Sequence, residues 1–286
     1  MPYTLPVSFD KFRENIELGS TYRETAQKRR NRLVSLLEND FKILEAFPTG
    51  SVPRFTAVKG HADLDVIVVL HFGKHIKNKK PSQVLQDVRD VLGDYKTGVR
   101  KNGQAVTLHY DSWPDVDIVP VSVTYNDDGS VNHYNVPDMN TESWIDSRPK
   151  KHSSTLTERN KTCGENFKRL IKMMKWWNHQ HSGLMHSFHI EVLALKTFHG
   201  KMDDLPWDIY YLFKNSVDLA QNSLWYELDY VDDYLDYSKR QEVIKRLETA
   251  RDWASDAWSY ARKDNVEKAI EKYRQIFGSK FPAYGS

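Results

Sequence analysis

The stretch from Gly50 to Leu70 constrains the fold more than any other part of the chain, because Asp63 and Asp65 stand directly before an unbroken apolar run. That run, Val66–Leu70, is typical of a strand buried on both faces. Side chains alternate across a strand, so the two carboxylates share one face and repel each other. A divalent cation would offset the repulsion and the cost of burial. An isolated Asp-x-Asp is more typical of a surface turn, but the apolar run favours a metal site.

A glycine followed by a hydroxyl residue, Gly50-Ser51, precedes this strand. The next segment, Val52–Val58, is compatible with a short helix. A Gly-Ser pair at a helix N-terminus would offer backbone amides to a phosphate group. Such pairs are common in turns, and the combination with Asp63-x-Asp65 is what makes a phosphate site the preferred interpretation.

A third carboxylate is required if two metal ions are to support a phosphoryl displacement. The segment from Trp113 to Val121 contains Asp115 and Asp117, which lie on the same face of a predicted strand. Asp117 is flanked by apolar residues and is the predicted ligand. Asp115 follows a Trp-Pro pair and is interpreted as the residue at the start of the strand.

The hydrophobic pattern divides the chain into a mixed-sheet lobe, residues 1–140, and a helical lobe, residues 141–286. In the first lobe the pattern predicts one or two helices over Phe9–Asn39, strands at Phe41–Phe47, Ala105–Tyr110, Val116–Val123 and Val131–Val136, a loop at Lys74–Lys80 and a helix at Pro81–Leu92. In the second it predicts helices at Trp144–Asp146, Leu156–His179, Phe188–His199, Leu205–Leu219, Asp233–Trp258 and Asn265–Phe277. The predicted fold class is α+β.

Charge and cysteine content indicate which cellular compartment and which kinds of binding partner to expect. The 41 basic and 39 acidic residues nearly cancel, although basic residues predominate between Arg148 and Lys175. That region could face an anionic ligand or be a solvated helix face, and composition favours the latter. The single cysteine, Cys163, excludes an internal disulfide and suits a reducing cytosol. With no leader-like apolar segment and no run of membrane-spanning length, a soluble cytoplasmic protein without a membrane partner is expected.

The pattern of Gly50-Ser51, Thr56, Asp63-x-Asp65 and Asp117 resembles the nucleotidyltransferase superfamily related to DNA polymerase β. That superfamily includes poly(A) polymerases, CCA-adding enzymes and aminoglycoside nucleotidyltransferases. The resemblance implies a bilobed fold with the active site between the lobes. It also implies two Mg²⁺ or Mn²⁺ ions per active site, held by the three aspartates, and nucleoside triphosphates as substrates.

Two stretches of the helical lobe narrow the resemblance. The segment from Phe167 to Asn178 resembles the helix of oligoadenylate synthases, cGAS and bacterial CD-NTases whose basic residues contact the donor triphosphate, with Lys172 and Lys175 at the matching positions. A second segment resembles the one in which a serine contacts phosphate and the next aromatic residue stacks on the base, which implies these roles for Ser187 and Phe188. The simpler alternatives are two solvated lysines and an aromatic residue of the helix core.

Within the superfamily the chain is most similar to bacterial CD-NTases, the cGAS-like (DncV-like) enzymes of CBASS anti-phage operons. This resemblance implies a synthase that makes a cyclic di- or trinucleotide, releases pyrophosphate, and supplies a product to a separate effector protein. A monomer is compatible with this resemblance. Animal cGAS has a zinc-binding insertion, but His179, His181, His186 and His189 do not form a complete set of zinc ligands. Activation by nucleic acid is therefore not required.

Two alternatives remain open. The first is transfer of one nucleotide onto an RNA, an antibiotic or a protein. The second is a non-catalytic nucleic-acid-binding module that uses the basic region from Arg148 to Lys175; it leaves the three strand aspartates unexplained.

Overall fold

The computed structural model describes residues 4–285 of the chain. It divides into two compact units: a sheet unit, Leu18–Ser154, and a helical unit made of the chain up to Glu17 and from Thr155 onward. This division differs from a boundary between residues 140 and 141. The sheet extends to Ser147, and the first helix, Leu5–Ile16, packs in the helical unit through Phe9 and Phe12.

Strands predominate in the sheet unit and helices in the helical unit. The helices are α1 (Leu5–Ile16), α2 (Ser20–Leu37), α3 (Pro81–Tyr95), α4 (Pro149–Cys163), α5 (Asn166–Gln180), α6 (Ser187–Thr197), α7 (Leu205–Ala220), α8 (Tyr237–Arg262) and α9 (Val266–Phe277). The strands are β1 (Ile43–Thr49), β2 (Leu64–Leu70), β3 (Arg100–Asn102), β4 (Ala105–Leu108), β5 (Val116–Tyr125), β6 (Val131–Asp138), β7 (Ser143–Ser147), β8 (Trp225–Tyr226) and β9 (Asp229–Tyr230). A π-helical turn at Phe72–Ile76 opens the predicted charged loop.

The main sheet has the strand order β1-β2-β5-β4-β3, and β6 and β7 extend it from β5. Strands β2 and β5 are parallel, while the other neighbours are antiparallel. Strand β2 is buried on both faces, as predicted: Val66 and Val68 belong to one apolar cluster, and Ile67 and Val69 to another. The mixed α+β fold predicted from the sequence is confirmed.

Three local predictions are corrected by the structure. Val52–Val58 is not a helix but a turn followed by irregular chain, in which Phe55 has a left-handed φ of 59°. Trp144–Asp146 lies in strand β7 instead of a helix, because it pairs with β6 and Trp144 stands opposite Pro137. The predicted helix over Leu156–His179 is two helices, α4 and α5, which separate at Gly164, whose φ is +90°.

The helical unit has a core of packed aromatic rings. Phe9 and Phe12 of α1 contact rings near the end of the chain, with centroid separations of 4.8–5.4 Å to Tyr273, Phe277 and Phe281. The long N-terminal region is therefore two helices with different packing, since α2 belongs to the sheet unit. In residues 4–285 no helix is both long and apolar enough to span a bilayer.

Candidate active site

The predicted carboxylates meet at one level of the sheet. Asp65 of β2 stands directly opposite Asp117 of β5 in the parallel register, and Asp117 stands opposite Thr107 of β4. Residues that face each other across neighbouring strands share a face of the sheet. Asp63 lies two residues before Asp65 and so belongs to the same face. We call Asp63, Asp65 and Asp117 the carboxylate row.

Gly50 lies against the carboxylate row because β1 brings Thr49 opposite Asp65. A Cβ atom built on Gly50 would stand 1.8 Å from Asp65 Oδ2 and 2.8 Å from Asp65 Cγ. The glycine also has a left-handed φ of +74°. Both observations require glycine at this position, since a side chain would collide with the carboxylate and strain the backbone.

The turn after Gly50 is held by its own backbone, not by a helix. The Ser51 carbonyl accepts from the Thr56 amide at 3.0 Å, and Thr56 is fully buried. The amides of Ser51 and its neighbours therefore do not form the helix N-terminus that the sequence predicted. The end of strand β1 nevertheless brings Gly50 against the Asp65 carboxylate.

Asp117 and Asp115 have different surroundings. Asp117 Oδ1 accepts a 2.5 Å hydrogen bond from Thr107 Oγ1. Asp115 is engaged locally, because its Oδ1 accepts from the Tyr110 amide at 2.9 Å and its Oδ2 lies 2.6 Å from His109 Nδ1. This arrangement fits the interpretation of Asp115 as the residue that begins the strand.

The carboxylate row carries negative charge that the sheet unit does not neutralise fully. Burial, followed by the charge of Asp117, raises the pKa of Asp65 to about 7, although Arg54 acts in the opposite direction. Burial and the charges of Asp117 and Asp115 also raise the pKa of Asp63. Neither Arg54 nor Thr107 was predicted from the sequence to belong to this site. The sequence signals that could have indicated them are that Arg54 closely follows Gly50 and that Thr107 lies in a predicted strand.

The donor set fits a hard divalent cation, because its ligands are carboxylate oxygens and bound positive charge would counter the repulsion that raises these pKa values. In the side-chain positions of this structure, residues 4–285 contain no group of three or more His, Cys, Asp or Glu side chains arranged to hold a metal ion. Asp65 is turned toward Gly50 and Asp117 toward Thr107.

The two predicted phosphate-binding lysines are ion-paired inside the helical unit. Lys175 of α5 is only 2% exposed and its Nζ lies 2.7 Å from Oε1 of Glu191, which is 0% exposed. Lys172 is paired with Glu17, and burial lowers the pKa of Lys172. The solvated-lysine alternative is therefore wrong for Lys175. Glu191 of α6 is a buried counter-charge of Lys175.

Ser187 and Phe188 are presented differently, at the exposed start of α6. Ser187 is the first residue of the helix after the N-cap His186, and both Ser187 and Phe188 are exposed. Phe188 is 40% exposed and contacts the ring of Tyr226 edge-on, with centroids 5.8 Å apart. Phe188 is therefore partly exposed and is not a core residue.

The chain is similar to a family model and to several named proteins. The model of the Second Messenger Oligonucleotide or Dinucleotide Synthetase domain (SMODS) matches residues 4–160. A probable cyclic nucleotide synthase of Bacillus cereus is 22% identical over 330 residues and covers 99% of each chain. A cyclic AMP-AMP-AMP synthase of Acinetobacter sp. is 25% identical over 298 residues, which is 95% of this chain and 84% of the relative.

Among solved structures, that of E. coli MS115-1 CdnC with ATP superposes with a TM-score of 0.77 at 19% identity and covers 96% of this chain and 98% of that one. The family model spans more than half of the chain, which therefore belongs to the second messenger oligonucleotide or dinucleotide synthetase family. It is a bacterial CD-NTase, a nucleotidyltransferase that makes cyclic oligonucleotides from nucleoside triphosphates. The family and activity predicted from the sequence are confirmed.

Proposed function

We propose that the carboxylate row, Asp63, Asp65 and Asp117, is the catalytic centre of this synthase, and that ATP is one of its substrates. The observation that carries the proposal is the parallel register that places Asp65 directly opposite Asp117, with Gly50 against the Asp65 carboxylate. ATP is favoured because the Acinetobacter relative is named a cyclic AMP-AMP-AMP synthase. A role in anti-phage signalling through a separate effector protein fits the family.

In this proposal the three aspartates would hold two divalent ions, Mg²⁺ or Mn²⁺, and the ions would supply Lewis acidity to the attacking hydroxyl and positive charge to the leaving pyrophosphate. Thr107 orients Asp117 through its hydrogen bond, and the absence of a side chain on Gly50 admits the Asp65 carboxylate. Gly50-Ser51 then contacts a phosphate group of the nucleotide. Ser187 binds the triphosphate and Phe188 stacks on the base, for which its exposure is suitable. Lys172 and Lys175 add positive charge to the helical unit, although each already faces a glutamate.

The test is incubation with each labelled nucleoside triphosphate, singly and together, with Mg²⁺ or Mn²⁺. Phosphatase treatment and mass spectrometry then identify resistant cyclic products. We expect Asp63→Asn, Asp65→Asn and Asp117→Asn each to lower product formation about 100-fold or more, because each removes charge from a metal ligand. Asp115→Asn is the matched control, since it keeps an oxygen for the Tyr110 amide and is expected to remain active.

Three outcomes would overturn the assignment. The residues are misassigned if Asp117→Asn is as active as Asp115→Asn. The substrate is wrong if ATP is not incorporated in any mixture. Product that forms only when an RNA, an antibiotic or a protein acceptor is added would indicate nucleotide transfer instead of ring synthesis.

A further inference from the structure

Tyr234, which lies between β9 and α8, contacts the start of α6 at three points. Its Oη accepts a hydrogen bond from the His186 amide at 2.9 Å and lies 2.9 Å from His189 Nδ1. Its ring stacks on the His186 ring, with centroids 3.6 Å apart and planes within 14°. His186 is the N-cap of α6, and Ser187 and Phe188 follow it directly.

Both rings that meet at the Tyr234–His189 hydrogen bond are uncharged at pH 7. His189 is 1% exposed, and burial lowers its pKa to about 4, so the ring is neutral at pH 7. Burial raises the pKa of Tyr234 to about 12, so the phenol keeps its proton. The His186 amide donates to Oη of Tyr234, and the same hydroxyl forms a second hydrogen bond with Nδ1 of His189. The one hydroxyl of Tyr234 thus links the N-cap of α6 to the first turn of the helix.

The segment that carries Tyr234 is itself anchored. Asp232 is 1% exposed, and its two oxygens accept from the Leu224 amide at 2.9 Å and from Arg240 at 2.6 Å. The Leu235 amide returns to the Asp232 carbonyl at 2.9 Å. Tyr234 is therefore a fixed support and not a side chain that merely covers the helix end.

We infer that Tyr234 is a positioning residue for nucleotide binding, which holds the first turn of α6 so that Ser187 and Phe188 meet the substrate. This inference rests on the proposed role of Ser187. Tyr234 itself does not contact the reacting atoms. Within residues 4–285 the side chain of His186 makes no capping hydrogen bond to the helix, so the hydroxyl of Tyr234 is the side-chain contact that fixes the His186 amide.

The experiment is a double-mutant cycle on KM for ATP, built from Tyr234→Phe and Ser187→Ala. Tyr234→Phe removes both hydrogen bonds of the hydroxyl, and we expect it to raise KM about 5-fold, with kcat changed less than about 2-fold. In the Ser187→Ala background the same change should have little further effect, because Tyr234 acts through Ser187. A purely structural role would give independent, multiplying effects.

Two further variants serve as controls. Thr197→Val removes a 2.8 Å hydrogen bond at the opposite end of the same helix and should leave KM unchanged. His189→Asn keeps a hydrogen-bonding amide near the position of Nδ1 and should retain most of the affinity, whereas His189→Leu should raise KM as Tyr234→Phe does. The histidine pair keeps the test decisive if Tyr234→Phe does not fold.

The two proposals fail in distinguishable ways. If Ser187→Ala does not raise KM, the phosphate role of Ser187 is wrong. If Ser187→Ala raises KM while Tyr234→Phe does not, or if their effects multiply fully, only the positioning role of Tyr234 is overturned.

Discussion

Substitution of Gly50 by alanine tests the site where its geometry is tightest. The new Cβ would stand 1.8 Å from Asp65 Oδ2, 2.8 Å from Cγ and 3.3 Å from Cβ. Because Asp65 is fixed on β2, its side chain can only rotate away, at a cost of about 1 kcal/mol for an off-rotamer conformation. The left-handed φ of +74° adds roughly 1 kcal/mol for any residue with a Cβ. The expected loss of unfolding free energy is about 2 kcal/mol.

The loss of activity should be larger than this loss of stability suggests. A displacement of a catalytic group by about 1 Å can lower the rate about 100-fold, and rotation of the Asp65 carboxylate exceeds that displacement. We therefore expect Gly50→Ala to remain folded at about 25 °C while its rate of pyrophosphate release falls about 100-fold. Urea unfolding and a continuous pyrophosphate assay measure the two quantities on the same preparation.

Gly98→Ala is the matched control. Gly98 has a φ of +76°, close to that of Gly50, but an added Cβ would have no atom of residues 4–285 within 4 Å beyond its chain neighbours. It should lose about 1 kcal/mol of stability through the backbone alone and keep its activity. If Gly50→Ala and Gly98→Ala have equal rates, the contact with Asp65 has no catalytic consequence and the reasoning is refuted.

Two further predictions concern buried charges in the helical unit. Glu191→Gln should lower the unfolding free energy by about 3 kcal/mol in urea titrations, because the charge of Lys175 then lacks its buried counter-ion. The double variant Lys175→Met/Glu191→Leu should lose less than the single one, and a larger loss would contradict this interpretation. Asp208 is 6% exposed, and burial and then the charge of Asp204 raise its pKa from 3.8 to about 7. The protonated carboxyl stabilises the fold fully below about pH 4, and this contribution is lost as the pH rises through about 7. The unfolding free energy of Asp208→Asn should therefore rise by roughly 2–4 kcal/mol relative to that of the wild type between pH 4 and pH 8. Parallel pH profiles of the two proteins would show that Asp208 does not titrate in this range.

The sheet unit could be predicted from the sequence where a residue pattern is compatible with only one local structure. Five consecutive apolar residues after Asp65 have to be buried on both faces, and strand β2 is buried in that way. The sequence after Gly50 is compatible with two local structures, a helical turn and an irregular turn. Pro53 and the following residues are compatible with a first helical turn, but the buried Thr56 amide bonds to the Ser51 carbonyl and Phe55 takes a left-handed conformation. Tertiary burial decided between them, and a single sequence does not show burial.

Pairings between distant residues were the least predictable part of the site. The sequence identifies Asp65 and Asp117 as candidates, but their direct opposition depends on the parallel register of β2 and β5, which follows from the whole sheet. Strand β7 was also missed because it depends on a distant pairing. Trp144 is extended because it pairs with Pro137 of β6. For Lys175, helical periodicity gives the face of α5 but not the element that packs against that face. Glu191 lies on a different helix, α6, and only the fold brings the two together.

The two units differ in how far their buried charges are compensated, and this difference indicates which residues contribute most to nucleotide affinity. In the sheet unit, Asp63 and Asp65 have raised pKa values, so bound positive charge from outside the chain would relieve their repulsion. In the helical unit, the charges of Lys172 and Lys175 are matched by Glu17 and Glu191. A triphosphate gains less from a cation that already has a buried counter-ion than from an uncompensated one, because the existing pair must be disturbed. Metal ions on the carboxylate row, together with the exposed Ser187, should therefore account for more of the nucleotide affinity than either lysine does.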